Sequence, residues 1–206
     1  PPVTAQVTPM PGGRAIRVTA GQSIQAALDR ATPGDTVEVG PGRYRGSIRI
    51  ETDGVKLRAV GAVTIEGTTW YTVYIRARGA TLDGFTITGA KSHGVFITGS
   101  ERCLITNCDI SGSGWAGVQL GGDNGSASYN TVQGCEIHHN RVEGIYIRGT
   151  DSEHKGRHIP MVGNTLDGNY IHDNGGEGIQ NTATFGPPAP EGTIISNNRI
   201  INNGGG

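Results

Sequence analysis

The chain has 206 residues, enough for one domain with a continuous hydrophobic core. The formal net charge is -1 and no run of lysine or arginine is present, so the sequence predicts no nucleic-acid partner. No stretch approaches about eighteen consecutive apolar residues, so we expect no membrane-spanning helix. Three cysteines are too few for a disulfide framework.

The first predicted element is a short helix that follows an extended lead-in over residues 1–14. Ser23 is a suitable N-cap, and Pro33-Gly34 ends a helix predicted over residues 23–31. One face of this helix is apolar and comprises Ile24, Ala27, Leu28 and Ala31. We expect that face to cover the N-terminal end of the repeats that follow, because an uncovered end exposes apolar surface and unpaired strand edges.

Residues 82–203 carry a repeat of six positions with mostly apolar or small side chains. In each complete set the first and last positions are 15 residues apart, whereas the gaps between sets vary. The sets are Leu82, Phe85, Ile87, Ala90, Val95, Ile97; Ile105, Cys108, Ile110, Ser113, Val118, Leu120; Val132, Cys135, Ile137, Asn140, Ile145, Ile147; Leu166, Asn169, Ile171, Asn174, Ile179, Asn181; and the incomplete Ile195, Asn198, Ile200, Asn203. The repeat therefore has a rigid part and one corner that accepts insertions.

The spacing predicts short strands instead of helices, because glycine and asparagine interrupt the alternating apolar runs every few residues. Such repeats form a solenoid, in which each coil adds one strand to each of several parallel sheets about 4.8 Å from the next. Equivalent residues then stack on one another. The predicted stacks are a ladder of Asn140, Asn174 and Asn203, a second ladder of Asn169 and Asn198, and a buried pair of Cys108 and Cys135.

Three N-terminal segments resemble the capping region of pectate-lyase-like β-helix proteins. They are Gly21-Gln22-Ser23-Ile24-Gln25-Ala26-Ala27-Leu28, Pro33-Gly34-Asp35-Thr36-Val37-Glu38-Val39 and Pro41-Gly42-Arg43-Tyr44. The asparagine-rich repeats resemble the coils of the same superfamily. The resemblance implies an all-β fold, a right-handed parallel β-helix with a short N-terminal capping α-helix, as a single domain over residues 15–206. The superfamily includes lyases, hydrolases, epimerases, phage spikes and inert surface proteins, so the resemblance is specific for the fold and not for a reaction.

All long insertions enter at one corner of the coil, at residues 121–130, 148–165 and 182–193. Stacked loops on one edge would form a wall of a groove, and a groove that crosses several coils suits a linear polymer. A β-eliminating lyase needs a base near that wall and a cation to stabilise the developing enolate. We predict Lys155 or Arg148 as the base, Tyr146 as a neighbouring catalytic residue and Arg157 as a substrate clamp.

Two acidic side chains are predicted to lie close together on adjacent coils. Asp109 and Glu136 share an outward column, and unpaired like charges at this distance are unfavourable. A Ca²⁺ ion, which takes oxygen ligands, would relieve the repulsion, with Asp167 as a third ligand. The pectate-lyase-like resemblance also implies Ca²⁺ that bridges acidic residues and substrate carboxylates. The alternative is a pair of surface acids neutralised by arginine or water.

A second polar cluster, predicted at a different turn, offers another site. It comprises His138, His139, Glu143, His172, Asp173 and Glu177. Histidine serves as a general base near neutral pH, so His172 is a further catalytic candidate, whereas a hydrolase would use two carboxylates. The remaining candidates for substrate binding are His138, Gln119 and Gln180.

These features predict a secreted or cell-surface protein that acts on a polysaccharide, with a lyase for an acidic, uronate-containing polymer as the first hypothesis. The alternatives are a non-catalytic carbohydrate-binding, adhesive or fibre-forming β-helix, a glycoside hydrolase, or an epimerase. Trp70, Tyr71 and Trp115 are candidate sugar-stacking residues, although isolated aromatic residues on strands more often pack. No cap follows the fifth set, so we expect self-association through the open C-terminal end.

Overall fold

The computed structural model of the protein describes residues 13–122, 125–149, 161–182 and 192–204. Within them the chain forms a right-handed parallel β-helix of about seven coils, which confirms the predicted fold. Each complete coil contributes one strand to each of three parallel sheets, named sheet I, sheet II and sheet III in the order in which the chain reaches them. The predicted lead-in lies mostly outside the described residues, and the single-domain assignment stays a prediction.

The strands are short and all sheet pairings are parallel. Sheet I contains Ala15–Val18, Thr36–Val39, Lys56–Ala59, Thr81–Asp83, Leu104–Thr106, Thr131–Gln133, Thr165–Asp167 and Ile194–Ser196. Sheet II contains Gly42–Arg45, Val63–Glu66, Thr86–Thr88, Asp109–Ser111, Glu136–His138, Tyr170–His172 and Arg199–Ile201. Sheet III contains Ile48–Ile50, Tyr71–Ile75, His93–Ile97, Val118–Leu120, Ile145–Ile147 and Ile179–Asn181. A further pair joins Ser100–Glu101 to Ala127–Ser128.

The core lies inside the coil, where inward side chains of equivalent strands stack in register. Ile110 pairs with Ile137, Ile137 pairs with Ile171, and all three are fully buried. Alternation along each strand sends the neighbouring side chains outward, so every outward column on a sheet follows directly from the register. The register predicted from the 15-residue spacing is thereby confirmed.

A residue with left-handed backbone turns the chain after each of the last five sheet II strands. Gly89, Gly112, His139, Asp173 and Asn202 occupy this position in successive coils, with φ of 51° at His139 and 52° at Asp173. Glycine adopts this conformation without steric cost, and Asn, Asp and His tolerate it better than other side chains. The turn directs the next side chain into the coil, which places Asn140, Asn174 and Asn203 in one internal column.

The asparagine ladders form as predicted. The Nδ2 of Asn140 donates to Oδ1 of Asn174 at 2.9 Å, and the Nδ2 of Asn174 donates to Oδ1 of Asn203 at 2.8 Å. In the second ladder, the Nδ2 of Asn169 donates to Oδ1 of Asn198 at 2.9 Å. These bonds satisfy polar groups that the corners would otherwise bury unpaired.

A third ladder, which the repeat pattern did not predict, lies at the corner before sheet I. The backbone N–H of Cys103 donates to Oδ1 of Asn130 at 2.9 Å, and the backbone N–H of Asn130 donates to Oδ1 of Asn164 at 2.9 Å. Cys103, Asn130 and Asn164 each lie two residues before the first position of a set, in a column that the six repeat positions do not include. Cys103, Cys108 and Cys135 are free, buried thiols.

The N-terminal helix covers the first coil but is shorter than predicted. It spans Ile24–Leu28, and the Oγ of its N-cap Ser23 accepts from the backbone N–H of Ala26 at 3.1 Å. Ile24, Ala27 and Leu28 are buried against the solenoid, as the apolar pattern predicts. The helix ends at Leu28, and Asp29 is its C-cap. No helix among the described residues is long and apolar enough to span a membrane.

Apolar side chains of the last described coil are exposed. Ile195 and Ile200 hold inward positions, yet they are 48% and 44% exposed, whereas Leu166 and Ile171 in the preceding coil are fully buried. The difference arises because no described residue stacks on the outer side of the last strands. Self-association through this end stays a prediction.

Candidate functional site

The insertion corner joins sheet III to the next strand of sheet I. Strand order fixes this placement, since residues 121–130, 148–165 and 182–193 each connect those two sheets. Lys155 and Arg157, the predicted base and clamp on the longest insertion, lie outside the described residues. The surface that borders the corner is the outer face of sheet III.

Two outward columns form this outer face. The first runs through Arg49, Tyr74, Phe96, Gln119, Tyr146 and Gln180. The second runs through Tyr71, His93, Ala116, Glu143 and Glu177, in the register that the adjoining strand pairs and backbone hydrogen bonds set. The structure therefore brings together the predicted residues Gln119, Tyr146 and Gln180, with Arg148 one position beyond the strand of Tyr146.

An aromatic cluster covers the part of this face that the earlier coils form. Phe96 points outward but is only 2% exposed, because the ring of Tyr71 stacks on it at 4.5 Å between centroids. Tyr74 and His93 also contact Phe96, at 5.8 and 5.6 Å. The His93 ring lies 6.5 Å from that of Trp115 in the next coil. The rings hold one another in fixed orientations, and they remove water from one side of His93.

This environment keeps His93 neutral. Burial among the rings, together with the positive charge of Arg148, lowers the pKa of His93 to about 4, although a hydrogen bond with Gln119 acts in the opposite direction. Its Nδ1 lies 2.9 Å from Oγ of Ser92. A neutral imidazole has one nitrogen lone pair that can accept a proton, so His93 has the properties of a general base at neutral pH.

Glu143 lies in the same outward column as His93, two coils further along the solenoid. The small side chain of Ala116 occupies the coil between them. Glu143 is 4% exposed, and its Oε2 finds no hydrogen-bond partner among the described residues. Burial, supported by the negative charge of Glu177, raises the pKa of Glu143 despite hydrogen bonds from its own backbone and from Trp115. A buried carboxyl group with a raised pKa is suited to donate a proton.

Gln119 and Arg148 complete the polar side of the site. Gly122 separates them: a Cβ at Gly122 would lie 2.9 Å from Nε2 of Gln119 and 3.0 Å from Cδ of Arg148. The Nε2 of Gln119 also donates to the carbonyl of Gly121 at 2.9 Å, which fixes its orientation. We refer to His93, Ala116, Trp115, Gln119 and Glu143 as the His93–Glu143 notch, and Arg148 borders it.

The predicted acidic column on sheet II is confirmed, and each of its acids contacts a histidine. The register aligns Asp109, Glu136, Tyr170 and Arg199. The Oδ1 of Asp109 lies 3.1 Å from Nε2 of His138, and Oε1 of Glu136 lies 3.1 Å from Nε2 of His172. The His138 and His172 rings stack, with centroids 5.1 Å apart. Each acid therefore has an imidazole partner one coil further along the chain.

The second ring nitrogens of these histidines are also engaged. The Nδ1 of His172 lies 2.7 Å from Oδ2 of Asp173, and the Nδ1 of His138 lies 2.7 Å from Nδ1 of His139. Glu143 and Glu177, predicted in this cluster, belong instead to sheet III. His172 and His138 are thus separated from Tyr146 and Arg148, and the predicted site residues divide between two faces.

The three predicted calcium ligands do not converge. Asp167 lies on sheet I, where it accepts hydrogen bonds from Ser196 and Asn197 at 2.8 Å each, whereas Asp109 and Glu136 lie on sheet II. Among the described residues, no group of three or more His, Cys, Asp or Glu side chains is arranged to hold a metal ion. These residues do not fit the predicted three-ligand site, and Ca²⁺ binding stays a prediction.

The sheet II cluster makes stability depend on pH. Burial opposes protonation of His172, but hydrogen bonds and charges from Asp173 and Glu136 outweigh it and raise the pKa of His172. A raised folded-state pKa gives stability that is full below the unfolded value of about 6.5 and is lost as pH rises through the folded value. We expect His172→Gln to lower the free energy of unfolding more at pH 5.5 than at pH 9, measured by urea denaturation. An equal loss at both pH values would contradict this assignment.

The sequence pattern did not indicate His93 as a site residue, because its column does not repeat one residue type. Tyr71, His93, Ala116 and Glu143 have unrelated side chains, so spacing alone gives no functional signal. The informative property of His93 is burial under Phe96, Tyr71 and Trp115, which depends on outward packing across coils.

Comparisons with known proteins agree with this architecture. The solved structure of pectate lyase Pel9A is 18% identical, with a TM-score of 0.78, and the match covers 94% of this chain and 55% of that one. An alginate lyase from Paenibacillus sp. str. FPU-7 is 20% identical, with a TM-score of 0.64 and coverage of 92% and 75%. A pectin methylesterase from Aspergillus niger is 15% identical, with a TM-score of 0.64 and coverage of 92% and 66%. At these identities the likeness establishes the fold.

The chain spans about half the length of that pectate lyase. No curated protein matches the sequence significantly. A family model described as the right handed beta helix region matches residues 48–206, which is most of the chain. The chain therefore belongs to the right-handed β-helix family.

Proposed function

We propose that the protein is a polysaccharide lyase that cleaves an acidic, uronate-containing polymer by β-elimination at the His93–Glu143 notch. The observation that supports this most directly is the opposite effect of the protein environment on two groups of the same outward column: the pKa of His93 is lowered to about 4, and that of Glu143 is raised. Groups whose pKa values are driven apart in this way are suited to act as base and acid.

The proposed reaction uses two residues of one outward column, His93 and Glu143, which lie two coils apart. His93 removes the proton on the carbon next to the uronate carboxylate, and the electrons of that C–H bond form a carbon–carbon double bond. The bond from the adjacent carbon to the glycosidic oxygen breaks, and Glu143 donates a proton to that oxygen. Arg148 and the amide of Gln119 stabilise the negative charge that develops on the carboxylate. Water then returns the proton from His93 to Glu143.

An extended polymer fits the outer face of sheet III. The face crosses six strands, so it extends over roughly 24 Å at about 4.8 Å per coil. Tyr146 and Gln180 continue the polar column beyond the notch, and Nε2 of Gln180 lies 3.5 Å from Oε1 of Glu177. The names pectate lyase and alginate lyase on two similar structures support an acidic polysaccharide as the substrate class. An extracellular location agrees with a polymer of this kind.

The test is an assay for the unsaturated product. We expect absorbance at 235 nm to rise when the protein is incubated with polygalacturonate or alginate, and to rise equally in the presence of EDTA. EDTA has no effect in this proposal because Arg148 and Gln119 supply the stabilisation that a metal ion would provide. Activity that disappears with EDTA and returns with Ca²⁺ would favour the calcium prediction. No absorbance on any polyuronate would refute the lyase assignment.

A glycoside hydrolase is the second candidate, because Glu143 and Glu177 are adjacent in one column. Burial and the charge of Glu177 raise the pKa of Glu143, which suits a general acid beside an ionised carboxylate. New reducing ends without absorbance at 235 nm would identify hydrolysis. Glu177→Gln would then abolish activity, whereas the lyase proposal assigns Glu177 no proton transfer.

A further inference from the structure

The two tryptophans of the chain lie on one edge of the sheet III face, at the corner that follows sheet II. The carbonyl of Trp70 accepts from the backbone N–H of Ser92 at 3.0 Å, and the carbonyl of Ser92 accepts from the backbone N–H of Trp115 at 2.7 Å. Trp70, Ser92 and Trp115 thus occupy three successive coils, which places the tryptophans roughly 10 Å apart along the solenoid axis. This length is comparable to that of a disaccharide.

Both indoles are open to solvent. Trp70 is 67% exposed and Trp115 is 47% exposed. Single exposed apolar residues are ordinary, but these two continue into a structured aromatic surface. Tyr71 follows Trp70 directly and stacks on Phe96, and the ring of His93 lies between Phe96 and Trp115. The ring of Trp115 therefore reaches the proposed base directly, and Trp70 lies two coils from Trp115 along the same edge.

The types of outward side chain change along the outer face of sheet III. Aromatic side chains dominate the outward positions of the earlier coils, at Tyr71, Tyr74 and Phe96, whereas Gln119, Tyr146 and Gln180 occupy the later ones. Aromatic faces pack against the C–H groups of a sugar ring, and amide and hydroxyl groups form hydrogen bonds with its polar substituents. The two halves of the face thus suit different contacts with one saccharide chain.

We propose that Trp70, Tyr71 and Trp115 form a stacking shelf that binds the sugar rings of the polymer and extends from Trp115 of the His93–Glu143 notch toward the N-terminal coils. This inference rests on the proposed function only in that the polymer lies along the sheet III face. The shelf holds the rings by their apolar faces, so it fixes the position of the chain while the notch contacts the reacting uronate. Continuity with the notch favours the saccharide over a protein partner.

The test measures binding separately from turnover, using the His93→Ala protein. Oligogalacturonates and alginate oligosaccharides of increasing length serve as probes, and tryptophan emission reports contact because the chain has no tryptophans other than Trp70 and Trp115. We expect at least one probe series to shift this emission. Adding Trp70→Ala should raise the dissociation constant about tenfold or more, measured by calorimetry.

The matched control is Tyr170→Ala, which removes an aromatic ring from the outer face of sheet II and leaves the sheet III face unchanged. This control should bind the probes as the His93→Ala parent does. Equal affinity of the Trp70→Ala protein and the parent would overturn the proposal, and so would the absence of binding to every probe at millimolar concentration. Binding that depends on Trp70 in a protein with no activity at 235 nm would leave the shelf established and refute the lyase assignment alone.

Discussion

Replacing His93 with alanine is expected to lower kcat on a polyuronate by about 10²–10⁴-fold, the usual contribution of a general base. The imidazole is the proton acceptor of the proposed elimination, and alanine offers no substitute. Added imidazole should restore part of the activity, because the vacated space between Phe96 and Trp115 can admit the free base. Absorbance at 235 nm under saturating substrate measures both effects.

The pH dependence of the wild-type protein gives the same prediction a second measurement. His93 must be unprotonated, so the rate should fall as pH drops through about 4. Glu143 must be protonated, so the rate should also fall as pH rises through its raised pKa. A bell-shaped profile with an acid limb near 4 is therefore expected, and Glu143→Gln should remove the alkaline limb while it lowers the maximum rate.

His139→Asn is the control for these measurements. It replaces an exposed histidine in the turn after a sheet II strand and retains a side chain that accepts the φ of 51° at that position. Its activity should equal that of the wild type. A His93→Ala protein that keeps normal secondary structure by circular dichroism and normal kcat would contradict the assignment of His93 as the base.

The sequence predicts the inside of this molecule better than its outside. Most core positions carry a small or apolar side chain in every coil, so the constant spacing within each set is enough to align Ile110, Ile137 and Ile171. The same spacing places the polar Asn140 and Asn174 in one column. Side chains at such positions pack on one another across coils, so the residue type in one coil restricts the residue type in the next. This restriction produces the repeat pattern in the sequence.

Outward positions carry no such constraint. Asp109 and Glu136 are correctly aligned by the register, yet the sequence does not indicate that His138 and His172 approach them from the next coils. Asp167 belongs to the repeat but lies on sheet I. The sheet II strand of the same coil begins only three residues later, at Tyr170, so a short distance along the chain places a side chain on another sheet. Columns can be predicted from spacing, whereas the neighbours of a long side chain depend on its rotamer and on the adjacent coil.

Replacing Asn174 with alanine is expected to destabilise the fold by about 3 kcal/mol. Its Nδ2 donates to the carbonyls of Ile137 and His172 and to Oδ1 of Asn203, at 2.8–3.2 Å. Its Oδ1 accepts from the backbone N–H of Asn140 at 3.1 Å and from the Asn140 side chain at 2.9 Å. Alanine leaves these buried donors and acceptors without partners, and each such group costs about 1–3 kcal/mol.

The comparison that isolates the ladder is Asn107→Gly. Asn107 is an exposed corner asparagine with a φ of 53°, and its side chain makes one exposed hydrogen bond, to Asp83 at 2.9 Å. Glycine accepts the same backbone conformation, so this variant should change the free energy of unfolding by less than about 1 kcal/mol. Urea denaturation of both variants gives the two values. If Asn174→Ala is as stable as Asn107→Gly, the buried hydrogen bonds do not hold the corner together, and the apolar stack of Ile137, Ile171 and Ile200 must stabilise it instead.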